Sequence, residues 1–102
     1  MKFAFDVDGV ITEAPRFFAE VTRALRKAGH HIAIVTDFDE HFRSYREQEL
    51  RDYGIDYDEL VITGEKESFC RENGFSFAVD DDSDYFLVSK TTPLLVAEIK
   101  PE

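Results

Sequence analysis

A single cysteine, Cys70, stands among the 102 residues, so the chain forms no internal disulfide and offers no cysteine cluster to a metal ion. That usage fits a reducing compartment, and the cytoplasm is the expected location. Basic side chains are scarce as well. Twelve lysines and arginines face 22 aspartates and glutamates, for a formal charge of −10. A surface of that sign repels phosphate backbones and disfavours nucleic acid as a partner, and a small anionic substrate needs a cation to bridge it. Long apolar runs are missing too. Nothing approaches the ~20 residues of a membrane helix, and the opening run already meets a carboxylate at Asp6, so neither a membrane span nor a secretory leader is expected. With three prolines and five glycines there is no linker tract, and no internal repeat or low-complexity segment interrupts the chain.

Apolar surface, by contrast, is plentiful. Hydrophobic residues make up 43% of the chain and ten of them are Phe, enough for a core and for one domain over residues 1–102. Short apolar runs alternate with amphipathic stretches. Residues 3–7, 31–36, 60–62, 75–79 and 94–99 read as strands, the last at an edge with Pro93 at its start. Residues 15–28 place Phe18, Val21, Leu25 and Ala28 on one helical face between Pro15 and Gly29. Residues 40–53 close at Gly54 and 66–73 at Gly74, while 83–89 read as a brief helical turn. Strands that alternate with helices pair in parallel through right-handed crossovers. The expected fold is therefore α/β, a single doubly wound, Rossmann-like parallel sheet with helices on both faces.

Ligands of such sheets bind at the carboxyl ends of the strands. Here those ends carry Asp6-Val7-Asp8-Gly9, Thr36-Asp37, Thr63-Gly64 with Lys66 just beyond, and Asp80-Asp81-Asp82-Ser83-Asp84. Six of these carboxylates, Asp6, Asp8, Asp80, Asp81, Asp82 and Asp84, gathered on one rim, repel one another unless a hard cation joins them. Oxygen ligands with no His or Cys nearby suit Mg²⁺, which keeps several waters and takes one or two protein carboxylates plus substrate oxygens. A strand that persisted through Asp8 would point Asp6 and Asp8 to the same side, whereas a sharp turn at Gly9 would bring the Asp8 carbonyl toward the ion.

The segment Asp6-Val7-Asp8-Gly9-Val10-Ile11-Thr12 resembles the first motif of the haloacid dehalogenase-like (HAD) phosphohydrolase superfamily, Asp-x-Asp-Gly-x-x-Thr after the first strand. Thr36, closing Ile-Ala-Ile-Val-Thr, looks like the second motif, Lys66 the third and Asp80-Asp81 the fourth, in the family's order over residues 3–85. Residues 29–36, 53–60 and 77–81 look similar to the 5′-deoxyribonucleotidase-like branch. The resemblance implies a Mg²⁺-dependent phosphatase that hydrolyses a phosphomonoester, a nucleotide or sugar phosphate, through an aspartyl-phosphate. It implies that Asp6 is the nucleophile, that Asp8 is the general acid and then base, and that Thr36 and Lys66 bind the phosphoryl group. It also implies a metal site of Asp6, Asp8, Asp80 and Asp81, with Asp81 the direct ligand and Asp80 acting through water or hydrogen bonds. The family's further acid, four residues on, falls on Asp84 when counted from Asp80 and on Tyr85 when counted from Asp81, so the two assignments stay open. Too few residues follow Asp8 or Ile62 for a cap domain at either usual insertion point.

The remaining polar residues have plainer readings. Lys90 competes with Lys66 but follows the acidic cluster instead of preceding it. His30, His31 and His41 read as surface or turn residues, and Arg43 and Arg46 as solvated helix charges paired with Glu47 or Glu49, substrate contact being their alternative. Phe18 belongs to the core, with Phe17 a candidate substrate wall. Two other functions are weighed against the phosphatase: a non-catalytic metal- or phosphate-binding module of the same fold with a regulatory or interaction role, and a receiver-like signalling domain. The second would carry its phosphoacceptor Asp at the end of a central strand well into the chain. An uncapped rim leaves the site open, so a homo-oligomer burying Phe17 or Phe38 against a second copy is expected, with a small phosphorylated substrate.

Overall fold

Side-chain alternation along the strands divides the core into two layers, one on each face of a single sheet. The computed structural model describes residues 1–81 and the backbone of Leu95–Glu98, with strands β1 (Lys2–Phe5), β2 (His31–Thr36), β3 (Glu59–Ile62), β4 (Phe77–Asp80) and β5 (Leu95–Glu98). All pair in parallel, in the order β3-β2-β1-β4-β5. Phe3, Phe5, Ile32, Ile34, Leu60, Ile62, Phe77 and Val79 belong to one layer. The residues between them, Ala4, Ala33, Val35, Val61 and Ala78, belong to the other, as a period of two requires. Helices α1 (Pro15–Lys27) and α2 (Arg43–Tyr53) cover the bulky layer through Phe18, Ala19 and Leu50. Helix α3 (Lys66–Glu72) covers the alanine-rich layer through Phe69 and Cys70. The α/β parallel sheet with helices on both faces is thus observed, and no helix among the described residues is long and apolar enough to cross a membrane.

Three boundaries differ from the sequence reading by two residues or more, each for a local reason. β1 ends at Phe5 because residues 7–10 wind into a turn, with the Val10 and Thr12 N–H groups donating to the Val7 carbonyl at 3.3 and 3.1 Å. Val7, Val10 and Ile11 are buried, so the turn itself contributes to the core. β4 begins at Phe77, two residues late, because Phe75 closes α3 instead, its N–H donating to the Cys70 carbonyl at 2.8 Å. Residues 40–53 split into a 3-10 turn, Glu40–Phe42, and α2, the Asp39 carboxylate accepting from the His41 N–H at 2.9 Å. The turn expected over 83–89 lies outside the described residues, as do Asp82, Asp84, Tyr85, Lys90 and Pro93. Between β1 and α1 stand only turns and the 3-10 segment Ile11–Glu13.

The alanine layer fixes how near α3 can come to the sheet. Ala33→Leu, at a fully buried position on that face, should lower stability in urea denaturation by about 1–3 kcal/mol through overpacking. A loss below about 0.5 kcal/mol would mean that the layer has slack and does not set the helix position.

Candidate active site

The chain places two acids side by side before any ligand is considered. Phe5 and Val79 are paired across β1 and β4, and the Asp6 N–H continues the ladder to the Val79 carbonyl at 3.0 Å. The next residue on each strand is therefore an aspartate, and alternation turns Asp6 and Asp80 to the face of Ala4 and Ala78, where α3 lies. Both are buried, at 6% and 2% exposure. Lys66, the first residue of α3, is 3% exposed and reaches between them, its Nζ 2.8 Å from Asp80 Oδ2 and 3.2 Å from Asp6 Oδ1. Burial pushes the Asp6 carboxyl up to about 7, Lys66 pulling against that shift and the neighbouring Asp80 charge adding to it. Burial also opposes the Lys66 charge, but the two carboxylates outweigh it and hold its pKa above the ordinary lysine value.

Asp81 joins this pair past Gly9. Oxygens of Asp6, Asp80 and Asp81 all lie within 4.8 Å of one another, two of these acids buried and the third exposed. Gly9 makes the approach possible: its φ of +81° lies where glycine is favoured, and a Cβ there would stand 2.0 Å from Asp81 Oδ2. Thr12 holds the turn, its Oγ1 accepting from the Gly9 N–H at 2.9 Å. Thr36 closes β2 next to β1, is 1% exposed, and accepts the Thr63 N–H at its carbonyl at 2.9 Å.

The structure does not bring Asp8 into the cluster. Because the strand has given way to the turn, Asp6 and Asp8 do not share a side, and the Asp8 side chain is 67% exposed and paired with Arg46. Arg46 corrects the sequence reading in turn. It is no solvated helix charge but 2% exposed, its Nη1 donating to Glu49 Oε1 at 2.7 Å and its guanidinium carbon 4.0 Å from the Phe38 ring centroid. Spacing alone showed the Glu49 partner three residues on; the Asp8 partner, 38 residues back, leaves no signal in a single sequence. Arg43 pairs with Glu40 instead of Glu47 and donates to the Leu60 carbonyl at 2.8 Å. The half-buried Phe38 is occupied by Arg46, whereas Phe17 is 58% exposed. His30 meets the N-terminal amine, His31 pairs with Glu59, and His41 stands in solvent. Cys70 is fully buried, and burial pushes its thiol up to about 12, which leaves it chemically inert.

The sign of the Asp6 shift predicts how the metal-free protein responds to pH. A carboxyl raised from 3.8 to about 7 on folding contributes stability that is complete below the lower value and is lost as pH rises through the upper one. Lys66, also raised, keeps its contribution until pH exceeds 10.5 and does not interfere in that window. In chelator, wild type should lose stability relative to Asp6→Asn between pH 5 and pH 8 in thermal melts. Parallel curves for the two proteins would show that Asp6 keeps an ordinary pKa.

No family model, curated protein or solved structure matches this chain.

Proposed function

We propose that this protein is a Mg²⁺-dependent phosphomonoesterase of the haloacid dehalogenase-like type, acting on a small phosphorylated substrate such as a nucleotide or sugar phosphate. The observation that supports this reading is the buried Lys66 between Asp6 and Asp80, at the carboxyl ends of adjacent strands, with Asp81 brought to them across Gly9. Stability alone gives little reason for such a group, since replacing buried ion pairs with well-packed apolar side chains is often neutral or stabilising. The donor set is all oxygen and anionic, which fits Mg²⁺, and Asp6, Asp80 and Asp81 would hold the ion. Bound there, the ion would offset phosphate charge against an acidic rim.

The chain's own groups carry the steps. An Asp6 carboxylate oxygen attacks phosphorus as the bond to the leaving oxygen breaks, and Asp8 gives its proton to that oxygen. Water then attacks the aspartyl-phosphate, passing a proton to Asp8, and the Asp6 carboxylate returns with release of inorganic phosphate. Lys66 counters part of the burial that raises the Asp6 carboxyl, and so favours the ionised nucleophile. Its charge and the Thr36 hydroxyl also face the charge that develops on the phosphoryl oxygens. A second copy, in a homo-oligomer, would complete the enclosure, and Phe17, 58% exposed, is one exposed aromatic available for such a contact.

Asp6→Asn should abolish phosphate release from para-nitrophenyl phosphate, by about three orders of magnitude or more, because an amide of nearly the same shape cannot attack phosphorus. Activity within about tenfold of wild type would overturn the mechanism. Millimolar Mg²⁺ should raise the melting temperature above that in chelator, and Asp81→Asn should shrink the difference. A midpoint indifferent to Mg²⁺ in wild type would count against a preformed site.

A further inference from the structure

Two cations are fully buried among the described residues, and they serve different acids: Lys66 meets Asp6 and Asp80, while Arg46 meets Asp8. Arg46 springs from a polar helix, and its Glu49 partner could be reached from the surface. Instead the guanidinium is only 3% exposed, stacked on Phe38 and braced by Glu49, and its Nε has no partner among the described residues. Removing a guanidinium from water and leaving one N–H unpaired both cost stability. What the arrangement gains is a fixed direction. The planar fork, held on one face by an aromatic ring and at one nitrogen by a carboxylate, presents its other nitrogen to an Asp8 side chain that is itself 67% exposed.

We infer that Arg46 is a positioning residue that holds the Asp8 carboxyl group at the rim, apart from Asp6, Asp80 and Asp81, where in-line phosphoryl transfer requires its acid. The inference rests on the phosphatase reading. In an in-line displacement the attacking and leaving oxygens lie on opposite sides of phosphorus, so nucleophile and acid must be separated by the transferred group. Asp8 stands outside the tight cluster and on its own support, as that separation demands. Arg46 itself stays charged and takes no proton, and Phe38 and Glu49 act through it.

The test compares kcat and KM for para-nitrophenyl phosphate, whose leaving group needs little protonation, and glycerol 2-phosphate, whose leaving group needs it. Arg46→Lys keeps the charge without the fork. It should lower kcat on glycerol 2-phosphate by about 10-fold to 100-fold, with less than about threefold on the aryl ester and little change in either KM. Arg46→Met should lose more in the same pattern. In an Asp8→Asn background, Arg46→Lys should cost less than about twofold on glycerol 2-phosphate, since its route to the reaction is already gone. Because Arg46→Met can unfold the helix, Phe38→Leu and Glu49→Gln, which loosen the guanidinium but leave it in place, should show the same ester dependence to a smaller degree. Equal losses on both esters, or full additivity with Asp8→Asn, would overturn the inference. Asp6→Asn separates the two failures. If it is inactive while the Arg46 variants keep the wild-type ratio of the two rates, the phosphatase reading stands and the role of Arg46 falls. If Asp6→Asn turns over normally, or wild type hydrolyses neither ester, both fall together.

Discussion

Two carboxylates buried side by side on neighbouring strands cannot both stay ionised without a cation between them, and the position of that cation governs much of this structure. The pairing of Phe5 with Val79 makes Asp6 and Asp80 neighbours, and Lys66 answers them from the start of α3. A lysine at the head of a helix reaches both acids only if the helix lies close to the sheet. Ala4, Ala33 and Ala78 permit that approach by leaving the α3 face of the central strands thin. The opposite face, packed with Phe, Ile and Leu, carries α1 and α2 and supplies most of the apolar burial. Division of labour between the layers thus lets one face stabilise the sheet while the other delivers a charge to its end.

The parts of this arrangement that follow from short-range chemistry were legible in the sequence. β2 is reproduced residue for residue, since a β-branched run between Gly29 and the polar Thr36-Asp37 has few alternatives. Pro15 and Gly54 mark the start of α1 and the end of α2 for similar reasons, Gly54 taking the left-handed conformation that lets the Ile55 N–H return to the Leu50 carbonyl at 3.0 Å. Lys66 at the head of a helix and the two acidic strand ends could also be read. What could not be read is contact across long separations. Gly9 announces a turn, but Val7 has the composition of a strand continuation, and only the packing of Val7, Val10 and Ile11 shows that the strand already stops at Phe5. Arg46 looks like its exposed neighbours on a polar helix until Asp8 and Phe38 are placed beside it. Phe75 carries the apolar character of β4 yet closes α3, because one aromatic serves either purpose and only tertiary packing chooses.

Gly9 shows how a single position serves backbone and side chains together. Its positive φ turns the chain sharply after β1, which ends the strand before Asp8 and moves that side chain to the Arg46 side. Its missing Cβ leaves the space that Asp81 occupies. One residue therefore separates Asp8 from Asp6 and admits Asp81. Any larger side chain would strain the turn and displace Asp81 at once.

The buried cations also bear on how an anion could enter so acidic a site. Lys66 is shared between two carboxylates and Arg46 between two others, so each arrives already engaged by the protein's own acids. On the phosphatase reading, the positive charge that draws a phosphate to the rim must then come largely from the ion held by Asp6, Asp80 and Asp81. Metal and substrate are in that case coupled ligands: the ion relieves repulsion among the acids, and the phosphate supplies oxygens that the two or three carboxylates leave unfilled. The same coupling gives the overall charge of −10 a use. An acidic surface concentrates divalent cations and repels phosphates that lack one, so on the phosphatase reading the rim would discriminate by charge before any residue contacts the organic part of the substrate.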